Sequence, residues 1–220
     1  MRDPSVVFYS PVRCLLSGAS LTGKSTWLFK FLQNMDTLMD VPPEKVYFFY
    51  KIHQSLYEQM ETCLGDRIVF RQGLPSESDI LEIGKSSPGH KVICIDDQGS
   101  DITQPVVNLF NAYAHHLFCS VFVLLHRLFT PHNKFVRDLS LSSSHLILRR
   151  CVRDQNESKM LFRQFGGQKA KSYQAAFEKA MSERAYNYVV LNLQQECKDE
   201  YRLYTNVFPE EYPPIFYIVK

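Results

Sequence analysis

The sequence predicts an α/β fold, a mainly parallel sheet flanked by helices with a β-rich C-terminal extension, and three observations predict it. Apolar runs of strand length alternate with stretches of helical period along most of the chain, the pattern of parallel strands joined by crossover helices. A Gly-x-x-x-x-Gly-Lys-Ser run at residues 18–25 lies between the first such strand and the first such helix. A mostly apolar strand further on ends in two carboxylates, Asp96 and Asp97.

In order, residues 12–17 read as the first strand, and 24–35 as a helix with Trp27, Leu28, Phe31, Leu32 and Met35 on one face. Pro42-Pro43 stops any helix before a strand at 45–50. A helix over about 54–63 and a short strand at 67–70 follow, then a turn at Gly73-Leu74-Pro75. Ser76 with Asp79 three residues on resembles a helix-opening capping box, and 84–89 is the clearest loop. Residues 91–95 make an apolar strand; Val106, Leu109, Phe110 and Tyr113 keep helical spacing; 119–125 is the next strand. Thr130-Pro131 suits the cap and first position of a helix to about 138, followed by a strand at 144–148. Asp154 and Glu157 suggest the cap of a helix over about 155–165, a second helix covers 172–182, and strand-like runs at 186–193, 202–207 and 215–219 close the chain.

At 220 residues the chain is expected to be one domain, 1–220, with a core over about 11–165 and the extension over about 170–220. Its 45% hydrophobic and 22% charged residues exclude disordered and fibrous classes. A net charge of +2 is too small to mark a nucleic-acid binder by itself, so local patches must carry that case. No apolar run approaches the roughly 20 residues that span a bilayer, and Arg2, Asp3 and Arg13 break up any secretory signal, so an intracellular location and no membrane partner are expected. The six cysteines are widely spaced and form no C-x-x-C pair; three fall in expected strands and read as reduced core thiols.

The glycine-framed run has a mechanism. Its glycines let the backbone curl so that N–H groups cradle phosphates, Lys24 neutralises the β/γ charge, and the Ser25 hydroxyl binds Mg²⁺. The helix behind it presents its positive end to the same anion. Residues Gly18, Ala19, Ser20, Leu21, Thr22, Gly23, Lys24, Ser25 and Thr26 thus form the expected nucleotide-binding loop. Asp96 would hold the metal opposite it and Asp97 would deprotonate the attacking water. The intervening strand candidates place the 119–125 strand between the loop strand and the Asp strand, an order typical of RecA-like ATPases. His126, at the end of that inserted strand, is then a candidate sensor of the γ-phosphate.

At these residues the sequence resembles the DNA-packaging ATPases of the FtsK–HerA group found in poxviruses, adintoviruses and Maverick/Polinton elements, over roughly residues 11–211. The resemblance also rests on Pro42-Pro43-Glu44-Lys45-Val46, Phe70-Arg71-Gln72-Gly73-Leu74-Pro75, His115-His116, Leu128-Phe129, Arg153-Asp154 and the run from Arg202 through Asn206 to Pro209. It implies a RecA-like core, ATP and Mg²⁺ as cofactors, a homo-oligomeric ring and a capsid or portal partner. It further implies an arginine lent to the neighbouring subunit, Arg153 or Arg150, and sequence-independent contact with double-stranded DNA through Arg127, His132, Lys134 and Arg137. Leu21 stands where the family has Ser or Gly, His126 replaces the usual polar sensor, and Asp97 is a shorter base than the Glu of many related motors. A small-molecule P-loop kinase and a non-catalytic nucleotide-binding module stay open as alternatives.

Overall fold

The computed structural model describes residues 6–96, 101–129 and 133–219. Its strands are β1 (Arg13–Ser17), β2 (Lys45–Tyr50), β3 (Ile68–Gln72), β4 (Lys91–Asp96), β5 (Cys119–Leu125), β6 (His145–Arg149), β7 (Tyr188–Asn192), β8 (Leu203–Thr205) and β9 (Ile215–Phe216). Among the described residues these form one sheet in the order β3-β2-β4-β5-β1-β6-β7-β8-β9. The first six positions pair in parallel, and β7, β8 and β9 add to β6 antiparallel. β5 lies between β4 and β1, as the sequence predicts.

The helices are α1 (Lys24–Gln33), α2 (Met35–Leu38), α3 (Ser55–Leu64), α4 (Glu77–Ser86), α5 (Gln104–Asn108), α6 (Ala114–His116), α7 (Lys134–Ser142), α8 (Asn156–Gly166) and α9 (Ala170–Glu183). Successive strand residues face opposite sides of the sheet, and both sides are covered. Cys14 and Leu16 of β1 share one core with Trp27 and Phe31 of α1 and Tyr57 and Met60 of α3. Leu15 belongs to the other, with Ile80 of α4, Val106 of α5, Val136 of α7, Phe162 of α8 and Phe177 of α9. Burying a large apolar side chain of this kind contributes about 1.5–3 kcal/mol relative to leaving it exposed. Trp27 stacks on Phe31 with ring centroids 5.5 Å apart, which fixes the face that α1 presents to the sheet.

Several boundaries differ from the sequence reading. The first helix stops at Gln33, because the Asn34 amide turns back to donate to the Lys30 carbonyl (2.9 Å), and α2 follows separately. The expected loop at 84–89 is helical through Ser86, since the capping box at Ser76 and Asp79 launches α4. Gly84 sits inside that helix to make room for Leu117, whose Cδ1 would lie 2.7 Å from an added Cβ. The helix through Tyr113 widens into a π turn at Leu109–Tyr113. Thr130 and Pro131 lie outside the described residues; α7 is capped instead by Asn133, which accepts from the Phe135 amide (3.0 Å), and runs on to Ser142. Asp154 accepts from the Asn156 amide (3.1 Å), but Gln155 stands at the N-cap of α8, and Glu157 turns inward to accept from the Leu128 amide. The tail strands are shorter than the apolar runs that announced them.

Cys14, Cys94 and Cys119 are buried free thiols in β1, β4 and β5, and burial raises Cys119 to about 11. His145 is fully buried in β6 with Nδ1 3.0 Å from the Ser144 hydroxyl and Nε2 without a partner, and burial lowers its pKa to about 3. No helix among the described residues is long and apolar enough to cross a membrane.

Candidate nucleotide site

β1 delivers the glycine-framed loop to the C-terminal edge of the parallel sheet, where the Gly18 amide donates to the Leu125 carbonyl at the end of β5 (3.2 Å). A Cβ on Gly18 would sit 2.8 Å from both Arg149 Cβ and Thr22 Oγ1, so only glycine fits between β6 and the loop. Gly23 caps α1 with φ 84°, a conformation that costs glycine nothing. Lys24 Nζ donates to the Gly18 (2.7 Å) and Ala19 (3.0 Å) carbonyls, which holds the ammonium inside the curl of the loop. Thr22 Oγ1 also donates to the Ala19 carbonyl (2.8 Å). Ser20 is exposed on the loop, and Thr26 is exposed in the first turn of α1. Leu21 has φ 63° and is 94% exposed, so its side chain points out of the cradle and leaves the phosphate side clear.

Across the gap, β4 ends in Asp96, only 3% exposed. Ser25 Oγ donates to Asp96 Oδ2 (2.8 Å), and the Tyr57 hydroxyl from α3 donates to the same oxygen (3.1 Å). A hydroxyl and a carboxylate oxygen this close are hard donors of the type magnesium takes, with waters and substrate phosphates filling its remaining positions. The residues present therefore fit the metal that the sequence implies. Tyr57 was not marked by any sequence motif; its position opposite β4 follows from the packing of α3.

The other expected site residues are placed as follows. Asp97 and His132 lie outside the described residues. His126 follows β5 directly and is exposed; since Leu125 pairs with Ser17 in register, His126 stands beside the start of the loop. Arg150 and Arg153 are both exposed on the segment between β6 and α8, and Arg150 lines a cavity of about 330 Å³ with Ser17. Arg127, Lys134 and Arg137 share the wall of an open cavity of about 1340 Å³ with Arg163 of α8, a fourth cation that the sequence reading missed.

The sequence reading also passed over Arg149, the last residue of β6. Its Nη1 donates to the Tyr186 carbonyl (2.6 Å), its guanidinium lies 5.7 Å from the Tyr188 ring centre, and Nη1 would be 3.4 Å from a Cβ on Gly23. Burial is the main cause that lowers its pKa to about 10, and Nε is enclosed without a hydrogen-bond partner. At neutral pH a cation with a depleted hydration shell thus faces the phosphate loop, a position that an anion would stabilise. Arg149 closes β6 and Arg150 follows it, and local sequence does not say which of the two turns inward; strand parity and the tail that covers Arg149 decide.

This strand order, with a phosphate loop after β1 and a facing carboxylate at the end of β4, defines a P-loop NTPase fold of the RecA-like kind. Among solved structures, the chain is similar to the genome packaging NTPase B204 of Sulfolobus turreted icosahedral virus 2 in complex with ATP-gammaS. The match has TM-score 0.53 at 13% identity, covering 84% of this chain and 93% of that one. It is also similar to the same protein in complex with AMP, with TM-score 0.51 at 11% identity over 83% and 92% of the two chains. The DNA-packaging ATPase B204 of Sulfolobus Turreted Icosahedral Virus gives TM-score 0.53 at 11% identity over 84% and 93%. No protein-family model matches the chain, and no curated protein does.

Proposed function

We propose that this chain is an ATP-hydrolysing subunit of a motor that moves double-stranded DNA into a viral capsid. The observation that carries the reading is the Ser25–Asp96 hydrogen bond, which brings the loop after β1 and the carboxylate at the end of β4 together. Shared architecture with viral genome-packaging NTPases supports the choice of motor within that class. The separation of β4 from β1 by β5 favours it over a small-molecule kinase.

In this reading the loop amides and Lys24 bind the β- and γ-phosphates, and Ser25 and Asp96 are the residues that would hold magnesium. Magnesium supplies neutralisation of the charge that develops on the phosphate oxygens. Asp97 accepts a proton from the attacking water as its oxygen bonds to the γ-phosphorus, and the bond to the β-γ bridging oxygen breaks, releasing ADP and phosphate. His126 contacts the γ-phosphate and reports its loss along β5. The whole chain, core 11–165 and extension 170–220, acts as one unit of a homo-oligomeric ring, in which Arg153 or Arg150 reaches the neighbour's nucleotide. Arg127, His132, Lys134 and Arg137 track DNA phosphates without reading bases, and a capsid or portal protein anchors the ring where virions assemble inside the host cell.

The test is phosphate release from Mg-ATP with and without duplex DNA, for the wild type and for Lys24→Ala and Asp97→Asn. DNA-stimulated release that is lost in both variants is expected. Transfer of phosphate to a nucleoside or nucleotide would overturn the motor in favour of a kinase, and binding without turnover would leave a nucleotide-binding module.

A further inference from the structure

Beside the phosphate loop, between α1 and the segment that leads into β7, lies a cavity of about 580 Å³. Leu21, Thr26, Lys30, Arg149, Arg184 and Tyr186 line it. Two of these residues share an unusual state. Leu21 (φ 63°) and Tyr186 (φ 56°) both hold a left-handed backbone that bulky side chains rarely adopt, and both expose large apolar groups to solvent, at 94% and 74%. Strain of this kind persists where the surrounding structure enforces it, and it gathers at ligand sites. Here the enforcing contact at Tyr186 is visible: its carbonyl is held by Arg149 Nη1 at 2.6 Å. The polar rim is organised too, with Lys30 paired to Glu210 (3.2 Å) and Arg184 to Glu211 (3.0 Å).

The cavity opens against Gly23 and Thr26, on the side of the loop away from Asp96. A phosphate chain whose terminal end lies at Ser25 and Asp96 would therefore send its other end here. That end of a nucleotide carries a ribose and a flat, apolar-faced base, and the volume lies within the range of small-molecule sites. We infer that this cavity is the nucleoside subsite, in which the Tyr186 ring stacks on the base, the Leu21 side chain closes over it, and Arg149 faces the first phosphate. The inference rests on the nucleotide-site reading above and deepens it. It gives Leu21 a role in contact with the base and makes the C-terminal extension part of the ligand site.

Calorimetric titration with Mg-ATP and with Mg-tripolyphosphate, which has no base, separates this subsite from the phosphate loop. Wild type is expected to bind ATP more tightly than tripolyphosphate. Tyr186→Asn keeps a residue that tolerates the left-handed backbone while removing the ring, and should weaken ATP about tenfold, in line with the loss of one base–aromatic stack. Tripolyphosphate affinity should stay unchanged. Leu21→Ser should show the same selectivity with a smaller loss, and Tyr186→Phe should bind like wild type. If ATP has no advantage over tripolyphosphate in the wild type, or if Tyr186→Asn and Leu21→Ser leave that advantage intact, the subsite is overturned while the phosphate-loop reading stands. If the wild type binds neither ligand, both fall.

Discussion

Ser25 Oγ donates a 2.8 Å hydrogen bond to Asp96 Oδ2, joining the loop after β1 to the end of β4 across an intervening strand. Asp96 is almost wholly enclosed, and Tyr57 holds the same oxygen from a third element. Asp96→Asn and Ser25→Ala should each lower Mg-dependent ATP hydrolysis by about a hundredfold or more, the scale on which loss of a positioned charge-stabilising group acts. Tyr57→Phe removes one of the bonds to Asp96 and should cost about 1 kcal/mol of stability, with a much smaller loss of turnover. Equal loss of turnover in Tyr57→Phe and Ser25→Ala would contradict this ranking; steady-state kinetics beside thermal melts checks it.

Arg149 gives an opposite pairing of stability and function. Its charge is partly desolvated and bonded to a backbone carbonyl rather than to a carboxylate, so an apolar replacement removes a costly burial. Arg149→Met should melt at the wild-type temperature or above it, yet bind Mg-ATP about tenfold more weakly for want of a charge-assisted bond to phosphate. Differential scanning fluorimetry and calorimetry on one preparation measure both effects.

His145 sets a pH dependence. Its pKa is about 3 in the folded chain against an ordinary 6.5, because burial disfavours the imidazolium. A depressed folded value means that the unfolded chain binds the proton more readily. The contribution of neutral His145 is therefore fully present above pH 6.5 and is lost as pH falls toward 3. The slope approaches about 1.4 kcal/mol per pH unit within that window. In His145→Met that part of the slope should vanish, measured by urea unfolding at pH 7, 6 and 5.

If the proposed motor tracks DNA phosphates through the cavity that Arg127, Lys134, Arg137 and Arg163 line beside Asp154 and Glu157, its DNA binding is salt-dependent. Each of Arg137→Gln and Arg163→Gln should weaken duplex binding evenly across sequences and reduce the slope of log affinity against log salt by about 1. Fluorescence anisotropy with two unrelated duplexes between low and moderate salt tests it. A variant whose loss depends on duplex sequence would point to base readout instead.

What could be read in advance follows from the range of the forces involved. The place of the loop after β1, the strand that ends in Asp96 and the insertion of β5 were legible because strand length, apolar runs and glycine placement are local properties. Tyr57 and Arg149 were not, since each acts on a residue far away in sequence. Tyr57 reaches Asp96 over 39 positions, and Arg149 reaches Tyr186 over 37. Gly84 looked like the start of a loop because glycine weakens helices, but the side chain that claims its missing Cβ belongs to Leu117. The outward turn of Leu21 depends on a backbone angle that residue type alone does not reveal.

The insertion of β5 also sets a length. With neighbouring strands about 4.8 Å apart, β1 and β4 stand roughly 9–10 Å from each other. That distance is built from main-chain hydrogen bonds along both sides of β5. Side-chain substitutions around the cavity can tighten or loosen the grip on a ligand, but the span of the jaws belongs to the backbone. β5 is the shared hydrogen-bonding partner of both, so the two strands keep this spacing only while β5 is paired on both sides.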